Sequence, residues 1–570
     1  MMSEKKEYIF SDLFAYVEEK DNISEKFEEN KWRKMEYKTA KCAGNMLITA
    51  QDVYPEKITL DLKLTGVYQI YICVPKMRSE NYTYIKLTDD ICYTGLRPSK
   101  YRPHHWCECE YLEEVFWKTA DLSGQKLIIE KPEAWFLSVS GVAWIRCVPA
   151  ELEEKIEKRC VLAHMDEDQF GEDVFQTKDD YLIRLNRAKD TNVEVCSVEV
   201  SFDYDRVSDN NELPMLHHDE RWKNGDYHFE TVKETIYPHY INFAHENQMK
   251  IYATNRMEVG NFTTPYSHPS WNKNFVMKHP QFYCRNRDNS IVNVCSYAYP
   301  EVQDYVIENL LQILAFGFDG LSLIFHRGMH IGFDKPVIDR FSELYPDINP
   351  YLLPLRDDRL AGVMCEFMSQ FMEKLRKATN EKFDRHIDIN VFTYYGVEMG
   401  KPFGIDVEDW AKKGLVDSVC QTDMEVFENL EGCMYDDNPD LIDLEKYQIQ
   451  LGQRPIIDRE CSEGIKKLFR YAEEFAEIQR KYGVTVYGCL PWEHTILPEE
   501  YEGYAKQLKS IGIEKIFCWN MNQRVWNLPE WYAISHIGSK WEDGIVLRKF
   551  HRVLSLDGSD MSHFNPNWRG

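Results

Sequence analysis

Over the first 150 residues, apolar and polar positions alternate with period two in short runs. KITLDLKLTG (57–66) alternates and stops at Gly66. VYQIYICVP, YTYIKLTDD, KLIIE, AWFLSVSG and VAWIRCVP follow, each bounded by turn formers. Period two puts alternate side chains on opposite faces of a strand, and short strands with frequent turns predict an all-β sandwich or jelly roll over 1–155. The run ELEEKIEKR (151–159) reads as a charged link.

After about residue 190 the period changes. Strand-like apolar runs now alternate with long amphipathic segments. The expected strands are 193–203, 250–257, 320–327, 388–395, 418–424, 454–460, 484–491 and 515–522. The last four begin roughly 30 residues apart, the length of one strand-helix unit. PEVQDYVIENLLQILAFG (300–317) opens on proline and closes on glycine, as a helix should, and GIKKLFRYAEEFAEIQRKYG (464–483) is a second helix. Apolar strands alternating with helices predict a parallel sheet, and eight units predict a closed (β/α)8 barrel over 156–545, with 546–570 as a C-terminal tail. An open doubly wound sheet is the competing topology. It lacks support here, because no expected strand leads into a glycine-rich phosphate loop.

Barrels of this kind place chemistry at the C-terminal ends of their strands. Those ends are polar, charged or aromatic, while the strand bodies are apolar. They carry Asp203 and Asp205; Asn255, Arg256 and Glu258; His326 and Arg327; Tyr394, Tyr395 and Glu398. They continue with Gln421 and Asp423; Asp458, Arg459 and Glu460; Trp492 and Glu493; Trp519, Asn520 and Asn522. In VTVYGCLPWEH (484–494) an apolar strand stops at Pro491 and leaves an indole beside a carboxylate. Carboxylates, amides, Arg and indoles suit a sugar, whose hydroxyls take hydrogen bonds while its apolar ring face stacks. Cleaving a glycosidic bond takes two carboxyl groups, one protonating the leaving oxygen and one attacking carbon or activating water. Glu493 and Glu398 are the expected pair. Asp203, Arg256, Trp271, His326, Arg327, Tyr394, Asp423, Glu460, Trp492, Trp519 and Asn520 are the expected substrate contacts. Each also has an ordinary reading. A rim carboxylate can sit in an ion pair, Arg256 and Arg327 can pair with Glu460 or Glu398, Trp519 can be core, and Asn520 can be a cap. The loop 261–275, with Tyr266 and Trp271, is either a connector or one wall of the cleft.

Composition narrows the partners. The net charge is −26, from 94 acidic and 68 basic residues, which disfavours nucleic acid and anionic membrane, since both reward Lys and Arg. No run approaches the roughly 20 apolar residues of a membrane span. Residues 1–20 lack the apolar core and cleavage site of a signal peptide, and the 16 cysteines show no framework, so a cytoplasmic protein with reduced thiols is expected. Cys107 and Cys109 stand too close together, and without a second pair, for a zinc site. His326 and His330 stand four apart, but Gly328 argues against the helix that would make them joint ligands. No metal and no cofactor are expected.

NVCSYAYPEVQDYVIENLLQILAFGFDGLSLIFHRG (293–328) resembles a stretch of the glycosyl-hydrolase-like barrels related to family 10, where P-E-V opens a helix and F-D-G leads into the third strand. GIDVEDWAKKGLVDSV (404–419) resembles that family's approach to strand five, and DLSGQKLIIE with VAWIRCVP resembles the β-sandwich preceding such barrels. The resemblance implies a glycoside hydrolase with its acid/base glutamate after strand four and its nucleophile after strand seven, the places expected for Glu398 and Glu493. The chain departs from that pattern in one respect: YYGVE stands where an Asn-Glu pair would be, which leaves Asp423 and Glu460 as competitors for the acid. The expected substrate is a short oligosaccharide or small glycoside, and a homo-oligomer is an open expectation. Two other classes stay open: a carbohydrate-binding barrel without catalysis, and a metal-dependent barrel isomerase or hydrolase.

Overall fold

A computed structural model describes residues 6–50, 53–76, 80–96, 111–132, 138–153, 156, 158–165, 179–200, 237–260, 274–325, 330–354, 357–422, 463–490, 498–539 and 545–556. The period-two runs form two antiparallel sheets. The larger runs Tyr8–Phe10, Trp144–Pro149, Val67–Lys76, Tyr111–Asp121, Arg548–Leu556, Trp32–Thr39, Ala43–Ile48 and Gly141–Val142. The smaller runs Ile58–Leu60, Leu127–Glu130, Thr83–Leu87 and Thr94–Leu96. Ile58, Leu60, Ile85 and Ile129 of the smaller sheet share one core with Trp32, Ile70, Ile72 and Ile145 of the larger, and all eight are fully buried.

The expected C-terminal tail starts inside this sheet. Arg548–Leu556 pairs through its first half with Tyr111–Val115 and through its second half with Tyr37–Thr39, stitching two parts of the sheet together. Its sequence, RKFHRVLSL, shows little alternation, so pattern alone does not mark it.

Glu114 and Arg146 form a buried ion pair in this sheet, with Arg146 Nη2 2.7 Å from Glu114 Oε1 and the Trp144 indole N–H donating to Glu114 Oε2 at 2.7 Å. Burial alone would raise the Glu114 carboxyl. The hydrogen bonds and charge of Arg146, with the Trp144 N–H, outweigh burial and hold it below its ordinary value of 4.5. The folded state therefore binds this proton more weakly than the unfolded chain, so the stability it contributes is full above about pH 4.5 and is lost as pH falls through the lower folded value. Denaturant midpoints measured down to about pH 3 should fall less steeply in Glu114→Gln than in the parent protein. Equal acid slopes would show that the pair contributes nothing.

The second half of the chain closes into an all-parallel barrel. Its strands are β1 (Val161–Met165), β2 (Val193–Glu199), β3 (Lys250–Arg256), β4 (Gly320–Ile324), β5 (Asp388–Phe392), β6 (Ser418–Cys420), β7 (Thr485–Cys489) and β8 (Lys515–Cys518). Val161 of β1 pairs with Ile516 of β8 and completes the ring. Helices cover the strands as the pattern requires. Pro300–Leu314 buries Val302, Val306, Leu310 and Ile313, a three-to-four spacing that keeps one face on the sheet. Glu463–Tyr482 matches the second expected helix. The glycine of F-D-G opens β4 because a Cβ at Gly320 would lie 2.5 Å from the Asp388 carbonyl oxygen.

The strand count differs from the expected one in a way that matters. VLAHM, directly after the charged link, is β1, whereas the expected strand 454–460 lies outside the described residues. The first five expected strands are therefore β2 to β6, and the strand after F-D-G is the fourth, while β7 and β8 keep their expected places.

Candidate active site

The interior of the barrel is polar near its middle and mixed at its C-terminal mouth. In the middle, Ser197 and Thr254 hydrogen-bond across β2 and β3, and Asn390 Nδ2 donates to Ser418 Oγ at 2.7 Å. Period two then brings Glu199 and Arg256 to the same inward side, one step nearer the mouth. The Arg256 guanidinium grips the Glu199 carboxylate through both Nε and Nη2, with Nη2 3.4 Å from Oε2. The Glu199 side chain is 5% exposed and that of Arg256 30%. His164 of β1 lies on the other side of the carboxylate, its Nε2 3.8 Å from Glu199 Oε2.

An aromatic floor supports this group. The His164 ring is 4.6 Å from Trp519 and 5.4 Å from Phe392, and Phe392 is 5.7 Å from Trp519. Trp519 is enclosed by these rings, so it supports the polar group above it and offers no open face of its own. Behind it, Arg524 Nε donates to the Trp519 carbonyl at 2.8 Å, and Arg524 Nη1 meets Glu530 Oε1 at 2.8 Å and Tyr501 Oη at 3.1 Å.

Asn520, the next residue, is held in the left-handed region at φ 53°. Its side-chain amide is buried, and neither Nδ2 nor Oδ1 has a hydrogen-bond partner among the described residues. A buried amide with no partner, on a backbone that asparagine tolerates at some cost, is the combination expected where a ligand completes the structure.

The sequence-expected residues divide as follows. Arg256, Trp519 and Asn520 are brought together at the mouth, at the ends of β3 and β8. Tyr394 follows β5 and is buried, with its hydroxyl donating to the Phe325 carbonyl at 3.3 Å. Glu398 also follows β5, so it does not occupy the place after the fourth strand that the resemblance implies. Its side chain is 69% exposed and pairs with Lys401 at 2.7 Å. Asp203, Trp271, His326, Arg327, Asp423, Glu460, Trp492 and Glu493 lie outside the described residues. His164 and Glu199 are not among the expected residues. Glu199 carries a readable signal, a carboxylate interrupting the apolar run VEVCSVEV; His164 sits in a short strand between charged segments that nothing in the pattern marks.

Among the described residues, His386, Asp388 and Asp417 come close enough together to share a cation. They lie at the N-terminal ends of β5 and β6, the end of a barrel associated with stability. Both carboxylates already carry partners: Lys250 and the Tyr252 hydroxyl on Asp388, and Arg376 on Asp417. The group reads as an ion-pair belt.

No family model matches the chain, and no curated protein matches it. Solved structures to which it is similar include the glycoside hydrolase domain of PelA from Pseudomonas aeruginosa, at 11% identity over 64% of this chain and 96% of that one, with a TM-score of 0.31. TtGalA, an alpha-galactosidase from Thermus thermophilus, is similar at 12% identity over 88% of this chain and 93% of that one, with a TM-score of 0.33. Haloferax volcanii malate synthase is similar at 9% identity over 69% and 74%, with a TM-score of 0.28. At these scores the likeness carries no argument about chemistry. No helix among the described residues is long and apolar enough to cross a membrane.

Proposed function

We propose that the barrel hydrolyses a glycosidic bond in a short oligosaccharide or small glycoside by a two-carboxylate mechanism. The observation that carries this reading is the Glu199–Arg256 pair with His164 at the mouth. Burying the Glu199 charge seldom favours folding over an apolar filling of the same space, so a carboxylate kept there, paired to a partly exposed Arg256 at the site-bearing end of a barrel, points to use. Charged and amide groups in that position suit the hydroxyls of a sugar. In this proposal the attacking or base carboxylate is Glu493, which follows β7 in the sequence.

With Glu398 exposed and following β5, Asp423, which follows β6, becomes the first choice for the acid, and Glu460 stays its competitor. Asp203, Trp271, His326, Arg327 and Trp492 stay in the proposal as substrate contacts. The displaced Glu398 also favours a second reading, a barrel that binds saccharide without turning it over.

A panel of α- and β-linked aryl glycosides and short oligosaccharides, with EDTA-treated protein alongside, tests the proposal. Sugar release that survives EDTA supports it. Release that EDTA abolishes would move the chain to the metal-dependent class, and saccharide binding with no release would establish the second reading.

Asn520 gives a separate check. Asn520→Gly is expected to keep or raise the melting temperature, because glycine adopts φ 53° without strain, while saccharide binding weakens through loss of the amide. Asn520→Ala should lose binding and about 1 kcal/mol of stability as well. Unchanged binding in both variants would remove Asn520 from the site.

A further inference from the structure

The Asn520 side chain has no hydrogen bond of its own among the described residues, so the backbone sets the direction of its amide. That backbone is left-handed, a conformation asparagine holds at a cost and keeps only where neighbouring structure fixes it. The fixing comes from the segment that follows. Arg524 Nε donates to the Trp519 carbonyl at 2.8 Å, and the Arg524 amide donates to the Asn520 carbonyl at 3.1 Å. The Val525 amide then donates to the Met521 carbonyl at 2.9 Å, and the Asn527 amide to the Arg524 carbonyl at 3.0 Å. A single turn of helix, Met521–Arg524, is too short to be rigid alone and needs an anchor.

Trp526 is that anchor, and the antiparallel sheets hold it. Its buried ring lies 5.8 Å from Tyr84 at 9° and 4.8 Å from Tyr82. The Arg184 guanidinium lies over it at 5.7 Å. Gly95 stands opposite Tyr84 in the register of the smaller sheet, and a Cβ there would lie 1.2 Å from Trp526 Cζ3. The missing side chain opens the slot that the indole fills. Further along, Leu528 joins the core shared by both sheets, and Tyr532 meets Phe116 of the larger sheet edge to face at 4.9 Å. The same helix, Leu528–Ser535, is tied to the segment before β2 by the Trp531 indole, which donates to the Arg187 carbonyl at 2.9 Å. The chain after β8 is thus clamped between barrel and sheets, a few residues from the mouth.

We propose that Trp526, seated in the Gly95 slot, is a positioning residue that holds Asn520 in its left-handed conformation and so aims its amide. This deepens the saccharide reading of the mouth and rests on Asn520 belonging to that site. Amide hydrogen exchange, and calorimetry with the aryl glycosides of the panel, would compare the full chain with Gly95→Ala and Trp526→Phe. Exchange across 521–527 should quicken at least about tenfold in both variants, and the Kd for the glycoside should rise by about tenfold or more. If Gly95→Ala does not fold, Trp526→Phe carries the test, since its smaller ring leaves the slot only part-filled. Ile48→Ala is the control for general loss of stability, because Ile48 is fully buried in a separate core of the larger sheet with Met35 and Met46. It should lower the melting temperature and leave both readouts unchanged. Unchanged exchange in folded Trp526→Phe would overturn the proposal, and so would the same losses in Ile48→Ala. Quickened exchange in a chain whose parent binds no glycoside would sink the saccharide reading and leave the positioning role standing. Glycoside binding by the parent, at unchanged affinity in Trp526→Phe, would do the reverse.

Discussion

Glu199→Gln is expected to lower kcat/KM on the best glycoside by about a hundredfold or more, with the fold intact. Glutamine matches glutamate in shape but removes the charge that Arg256 grips from one side and His164 approaches from the other. The guanidinium then loses the Glu199 charge at the mouth, and the geometry offered to substrate hydroxyls changes. Glu199→Asp keeps the charge and should retain more activity than Glu199→Gln. Circular dichroism and thermal melting would show that both variants fold. Activity within about threefold of the parent in Glu199→Gln would place the pair outside the chemistry.

Arg524→Leu is expected to have the largest effect on stability, a loss of about 3–5 kcal/mol. The change takes the Arg524 charge from the buried Glu530 carboxylate, which keeps only the neutral donors Tyr501 and Asn527, and removes a donor from the Trp519 carbonyl and a partner from the Tyr501 hydroxyl. Removing one partner of a buried pair costs more than removing both, so Arg524→Leu combined with Glu530→Leu should recover part of the loss. Denaturant midpoints of the two variants and the parent give the comparison. A loss below about 1 kcal/mol in Arg524→Leu would show that water already reaches the pair.

Period and strand length explain what the sequence discloses. Long apolar runs such as GLSLIF and DINVF are legible as barrel strands, and proline and glycine bracket the helix at 300–314. VLAHM is of the same length but is not legible, because charged segments flank it on both sides and His164 interrupts its apolar run. That one omission shifts the strand numbers and puts Glu398 in the wrong place. The sheet strand at 548–556 is hidden for a different reason: its partners come from the far end of the chain, and pairing of that kind leaves no local signature. At the site, Arg256 and Asn520 are legible from their positions at strand ends. Glu199 escapes that reading because the expected strand runs on to 203, which places this last residue of β2 inside a strand body, and His164 escapes it because its strand is not among the expected ones.

The most direct test of the central claim is sugar release by the parent protein beside Glu493→Gln and Glu199→Gln, measured on the best glycoside of the panel. The account predicts release by the parent and its loss in both folded variants. Full activity in Glu493→Gln would contradict it.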